Sequence, residues 1–300
     1  MATVPVHVAA FEAREITTIS RGQLLWLTMK RKPLGAASAA LLAVIVLTAL
    51  FAPLLAPYDP LATQPEIRLS APSLAHPFGT DDIGRDVLSR VIYGARISLW
   101  VGLLAVGIGT AVGMVIGLLC GYCEGRLDLI GQRVMDAVQA IPGLVLALAI
   151  VSVLQPNTTN AMIAIAIVII PGNSRIVRGA VLSAKQNRYV EAAQAIGCRH
   201  PRIIMTHILP NVTAPILVIA SIWLGNAILI EATLSFLGVG TQPPTPSWGL
   251  MLSSTGRAFM EQAPWLAIFP GLAISLAVLA FNLFGDTLRD AWDPKLRRQG

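Results

Sequence analysis

Arg188–Asn211, RYVEAAQAIGCRHPRIIMTHILPN, is the stretch that decides how this chain reads. It is polar and basic, yet it lies between two long apolar runs. A helix-like segment from Tyr189 to Ile196 meets a glycine stop at Gly197. A second helix-like segment is opened by Pro201 and closed by Leu209-Pro210. Glycine ends a helix at little cost because it tolerates positive φ. Proline suits the first turn of the next helix, where its missing N–H is no loss. The stretch predicts two short helices joined at Gly197 and held at a membrane surface, a shape for another protein to grip.

Apolar runs extend outward from it on both sides. Before it come Ala137–Leu154, interrupted by Pro142-Gly143, a turn over Gln155–Asn160, and Ala161–Ile170, which Pro171-Gly172 breaks. After it come Ala214–Phe236, a proline-rich connection from Thr241 to Gly249, and Trp265–Gly285, which contains Pro270-Gly271. Nearer the N-terminus lie Ala36–Ala56 and Ile97–Cys120, joined by the polar connection 57–96. Gly121–Asp136 reads as a polar loop. Five of these runs hold 18 to 24 residues, near the roughly 20 apolar residues a membrane crossing needs, and Ala161–Ile170, with 10, is short. The expectation is an all-α integral membrane protein with six transmembrane helices. Composition agrees: of 300 residues, 55% are hydrophobic and only 13% charged, with mean hydropathy +0.68. A soluble domain carries about 25% charged residues.

Orientation follows from the basic residues. The connections on one side of the expected bundle, with both terminal segments, hold 17 Lys and Arg, and those on the other side hold 5. The positive-inside rule puts the first side in the cytoplasm, so both termini and the 188–211 stretch are expected there. The net charge of +6 is therefore a topology signal rather than a nucleic-acid signal. Three cysteines, Cys120, Cys123 and Cys198, make no disulfide framework, and Cys120-x-x-Cys123 alone is a weak metal or redox signal. No Gly-Lys pair occurs, so the chain has no Walker A phosphate loop. If ATP drives it, another chain binds the nucleotide.

Glu191-Ala192-Ala193, then Gly197, then His207-Ile208-Leu209-Pro210 resembles the EAA loop of ABC importer permeases. The general pattern has an apolar residue where this chain has His207, a variant common in the peptide-permease branch. Three further motifs follow in family order: His76–Arg90, similar to a GTDxxGRDxxSR signature; Leu234-Ser235-Phe236-Leu237-Gly238 with the loop to Gly249; and Gly285-Asp286-Thr287-Leu288-Arg289-Asp290 through Pro294. Over residues 36–297 the chain is similar to the C-type subunit of the dipeptide/oligopeptide/nickel permease family. The resemblance implies an ABC type I importer permease fold in the bacterial cytoplasmic (inner) membrane. It implies a cytoplasmic segment 1–35, a transmembrane domain 36–285, and a cytoplasmic tail 286–300. It makes Glu191, Ala192, Ala193, Gly197, Ile208, Leu209 and Pro210 the ATPase-coupling residues. The implied partners are a second homologous permease, two ABC ATPase subunits that carry ATP and Mg, an extracytoplasmic substrate-binding protein and membrane lipid. No cofactor or metal is expected on this chain, and no catalysis.

Other features carry two readings each. Glu231 is the acid placed inside a span: a pathway or proton-relay group, or a hydrogen-bonded structural acid near the outer interface where water or arginine neutralises it. Arg175 and Arg178 face a pathway or snorkel to the cytoplasmic interface. Gly109, Gly113, Gly117 and Gly121 form a stripe for close helix packing, expected within the chain rather than between chains. In His76–Arg90 the spacing predicts a helix start with Asp82–Asp86 repulsion and Asp86–Arg90 attraction. Trp248 is expected as an interfacial anchor. His7, His76, His200 and His207 are too scattered to read as a site. Short peptides are the leading cargo, with nickel chelates, glutathione and opines handled by similar proteins. A proton-coupled carrier using Glu231 is the alternative from another class. A membrane enzyme finds no support in any G-x-S-x-G or H-E-x-x-H motif.

Overall fold

The computed structural model describes residues 33–253 and 258–292, and among them the regular structure is helical, with one isolated bridge between Thr80 and Asp86. The basic cluster Lys30-Arg31-Lys32 and the closing residues 293–300 lie outside the described residues. The helices are α1 (Pro33–Leu50), α2 (Ala52–Leu55), α3 (Val87–Cys123), α4 (Gly125–Gln139), α5 (Gly143–Leu154), α6 (Thr158–Lys185), α7 (Arg188–Ala195), α8 (His200–Phe236), α9 (Trp248–Leu252) and α10 (Trp265–Trp292). Five of them, α1, α3, α6, α8 and α10, are long and apolar enough to cross a membrane. The pair α4–α5, bent by 87°, supplies a sixth crossing when counted as one broken span. Alone, the 12 residues of α5 reach roughly 18 Å, short of a bilayer core of about 30 Å.

The break falls where Pro142-Gly143 predicts one. Elsewhere the helices are more continuous than the sequence suggests. Pro171 does not interrupt α6: it is buried inside a 28-residue helix. Neighbouring helices can re-satisfy the backbone that a proline frees within a span. The 121–136 stretch is not a loop but mostly α4, and α3 begins at Val87, ten residues before the apolar run. α10 continues past Gly285 to Trp292.

The glycine stripe explains the tightest pair, α3 against α6. A Cβ at Gly117 would lie 2.5 Å from the Ser174 carbonyl oxygen and 2.7 Å from Val177 Cβ. At Gly109 it would lie 2.7 Å from the Ala166 carbonyl oxygen. Only glycine allows this approach, and lipid offers no hydrophobic drive to replace it. The stripe packs within the chain, as expected.

Opposite the 188–211 end, residues 56–86 fold back over the bundle. Asp86 caps α3 by accepting from the Ser89 N–H at 2.8 Å, and its other oxygen lies 2.9 Å from His76 Nδ1. The expected Asp86–Arg90 attraction is therefore replaced. Arg90 turns to Asp81 at 3.7 Å and donates to the Pro60 carbonyl at 3.0 Å, while Arg85 pairs with Asp81 at 2.6 Å. The i,i+4 rule fails here because Asp86 sits at the cap and spends one oxygen there and the other on His76. One tryptophan fastens this cover to α10, and another fastens α9 to α3 beneath it. The Trp265 indole donates to the Thr80 carbonyl at 3.1 Å and the Trp248 indole to the Val91 carbonyl at 2.9 Å. Trp248 is buried, not an interfacial anchor. Phe78 stacks on Phe269 with ring centres 3.8 Å apart.

Candidate functional site

At the other end, α7 and the start of α8 form the two-helix segment read from the sequence. α7 ends in a Schellman motif: the Gly197 N–H donates to the Gln194 carbonyl at 2.9 Å and the Cys198 N–H to the Ala193 carbonyl at 3.0 Å. Gly197 itself has φ +77°. Nothing lies within 4 Å of where its Cβ would be, so backbone conformation, not crowding, requires glycine there. Asn187 holds the preceding corner, its amide donating to the Ser183 and Ala184 carbonyls at 3.2 and 2.9 Å.

The second helix does not close at Leu209-Pro210. A π turn over Ile203–Ile208 carries the chain straight into the long span α8. The Leu209 N–H donates five residues back to the Ile204 carbonyl. This wider turn absorbs Pro210, which has no N–H for the usual ladder. The second helix of the loop and a membrane span are therefore one continuous helix.

The seven residues the sequence singles out divide into two groups. Glu191, Ala192, Gly197 and Pro210 are exposed. Ala193 and Ile208 are buried with Val190, Ile203, Val177 and Val181, and Leu209 packs against them. The first group presents a surface and the second fastens it to α6. Sequence reasoning missed the most exposed large apolar side chains of this segment, Ile196 (81% exposed) and Met205 (64% exposed). Their only signal was being apolar in a polar stretch.

It also missed how the segment is tied to the spans. Tyr122, at the end of α3, lies 2.7 Å by its hydroxyl from His200 Nδ1, so His200 is not an isolated residue. Lys185 donates to the Tyr122 carbonyl at 2.9 Å and pairs with Glu124 at 2.7 Å. Arg178 pairs with Asp128 through two bonds, at 2.5 and 2.6 Å, and Arg175 with Asp136 at 2.7 Å. The two arginines therefore do not snorkel alone. They zip α6 to α4, which explains why a polar stretch is helical there.

Glu231 is far from this segment and 1% exposed. It accepts from Ser98 at 2.9 Å, Ser235 at 2.8 Å and Thr241 at 3.3 Å. Hydroxyls surround the carboxyl, where water or an arginine was expected. Cys120 and Cys123 are free, and no group of three or more potential metal ligands occurs among the described residues.

These features define a polytopic helical membrane protein that offers a structured two-helix loop at one end and a packed cover at the other. The particular family follows from three comparisons. Residues 113–298 match the family described as binding-protein-dependent transport system inner membrane component, and residues 20–72 match the N-terminal TM domain of oligopeptide transport permease C. The chain is 44% identical over 283 residues to the dipeptide transport system permease protein DppC of Alkalihalophilus pseudofirmus, covering 94% of this chain and 93% of that one. It is 42% identical to the probable D,D-dipeptide transport system permease protein DdpC of Escherichia coli, covering 96% of each. It is 46% identical to the glutathione transport system permease protein GsiD of Escherichia coli, covering 91% and 90%. Its fold matches a chain of the MetNI methionine ABC transporter solved in inward facing conformations, with TM-score 0.57 and 16% identity over 69% of this chain and 98% of that one. The chain belongs to the binding-protein-dependent inner membrane transport family.

Proposed function

We propose that this chain is one of two permease subunits of an ATP-driven importer of short peptides. The observation that carries the reading is the Gly197-hinged loop continuous with a membrane span, in a chain 44% identical to a dipeptide permease. The exposed side chains Glu191, Ala192, Ile196 and Met205 form a cytoplasmic surface for an ATPase subunit. Ala193, Ile208 and Leu209 hold that surface against α6, and Pro210 marks where it passes into α8. ATP and Mg belong to the partner chains, and this chain moves cargo without catalysing a reaction.

ATP binding closes the two ATPases, and each carries its loop with it. Because the second helix of the loop runs through the π turn into the span of α8, the displacement enters the bundle directly. The pairs Arg178–Asp128 and Arg175–Asp136 pass it to the broken span α4–α5. The bundle then changes which side of the membrane its half-pathway faces.

Glutathione is a second cargo of the same chemical kind, favoured by the 46% identity to a glutathione permease. Membership in a binding-protein-dependent family leaves the proton-coupled alternative without a supporting observation. Proteoliposomes holding the complete complex and loaded binding protein are expected to accumulate a labelled dipeptide only when ATP is supplied. Uptake driven by a proton gradient without ATP would contradict the proposal. Competition by unlabelled glutathione decides between the two cargoes.

A further inference from the structure

Glu231 is an expensive residue for a membrane protein to keep. A carboxyl withdrawn from water is tolerated only when fully hydrogen-bonded. No ion pair to Glu231 forms among the described residues; its partners are hydroxyls from three parts of the chain. Ser98 reaches it from α3 and Ser235 from its own helix α8. Thr241 reaches it from the connection that leaves α8. The Ser235 hydroxyl also accepts the Thr241 backbone N–H at 2.9 Å, so backbone and side chain of Thr241 converge on one acid. Ser247 caps α9, its hydroxyl accepting from the Leu250 N–H at 3.3 Å.

The positions of Thr241 and Ser247 are what give this network a use. Both are buried, and between them lies the exposed tip Pro243-Pro244-Thr245. One base of the tip is thus fixed to a carboxyl that also holds α3 against α8, and the other to the start of α9. The Val239 and Gly240 N–H groups both donate to the Leu234 carbonyl at 3.0 Å, folding the approach to the tip back over the helix end. A network with every member satisfied makes its surroundings rigid. The tip is a stiff, two-footed projection at the end of the bundle opposite the ATPase-facing loop.

We infer that Glu231 is a positioning residue that holds the Pro243–Thr245 tip as a docking point for the substrate-loaded binding protein. The inference rests on the importer reading, because the family's binding protein delivers cargo to the face opposite the ATPases. A preformed tip lowers the ordering cost of docking, so its loss weakens binding-protein recognition without touching the ATPases.

The test uses the complete complex in lipid nanodiscs, where both faces are accessible, with ATPase activity measured as loaded binding protein is titrated. For Glu231→Ala the half-stimulating concentration is expected to rise about tenfold, with the maximal rate within about twofold of wild type. Glu231→Gln keeps an accepting oxygen and is expected to stay within about threefold of wild type. A half-stimulating concentration unchanged in Glu231→Ala would overturn the inference. So would a Glu231→Gln complex that is stimulated normally yet transports nothing, because carboxyl chemistry would then be the role. Should Glu231→Ala fail to assemble, the Ser98→Ala, Thr241→Val double variant is read by the same criterion. A wild-type complex that ignores binding protein at every concentration would overturn the importer reading itself.

Discussion

Replacing Gly197 with valine is expected to lower ATP-driven uptake by roughly 10- to 100-fold while the chain still reaches the membrane and joins its complex. Gly197 occupies φ +77° in open space, so valine meets no neighbour, and the whole penalty is conformational. For an L-residue the left-handed region costs about 1–2 kcal/mol, and a β-branched side chain resists it most. The corner then relaxes, both Schellman hydrogen bonds are lost, and α7 changes its angle to α8. The ATPases can still close, but they pull on a displaced handle. ATP hydrolysis is expected to persist with little transport. Gly197→Asn is the control, because asparagine accepts this conformation, and it is expected to keep most of the uptake. Parallel assays of ATPase and uptake on both variants check this. Equal uptake by the valine and asparagine forms would remove the corner from the mechanism.

Gly117→Leu is expected to be more damaging, and in a different way. The first added carbon already lies 2.5 Å from the Ser174 carbonyl oxygen, which belongs to backbone and cannot swing aside. Overpacking typically costs about 1–3 kcal/mol, and forcing two whole helices apart belongs at or above the top of that range. α3 and α6 would separate along the stripe, displacing Tyr122 and Val177 from the cluster that holds the coupling loop. The expected result is a chain that fails to accumulate in the membrane, measured by quantitative immunoblot of the membrane fraction. Gly107→Leu serves as the control, since nothing lies within 4 Å of a Cβ there. If the two variants accumulate equally, the stripe is not what holds α3 to α6.

Those two glycines show what the sequence could and could not reveal. Gly197 was legible because its role is local: a helix stop needs only the residue and its neighbours. The stripe from Gly109 to Gly121 was legible as a close contact, but its partner α6 was not, since spacing on one helix does not name the other. The crossings were legible from apolar length, and the break from Pro142-Gly143. Pro171 misled because the same dipeptide pattern sits inside a continuous helix, and what decides is whether neighbours satisfy the freed backbone. The 121–136 stretch looked like a loop because its acids Glu124, Asp128 and Asp136 are balanced by Lys185, Arg178 and Arg175 on a helix distant in sequence. Asp86 was assigned to Arg90 by spacing, but capping claimed it first. Within the coupling loop the motif residues were found, yet three of the seven turn inward. The exposed Ile196 and Met205 follow only from knowing which face α6 covers.

The central claim is that this chain works as half of a membrane pathway driven by separate ATPase subunits. Native mass spectrometry of the gently solubilised complex, carrying a tag on this chain, tests it most directly. The account predicts one copy of this chain with one different permease and two ATP-binding subunits. A homo-oligomer of this chain alone that still transports when reconstituted would contradict it, and Glu231 would then become the first residue to test for proton coupling.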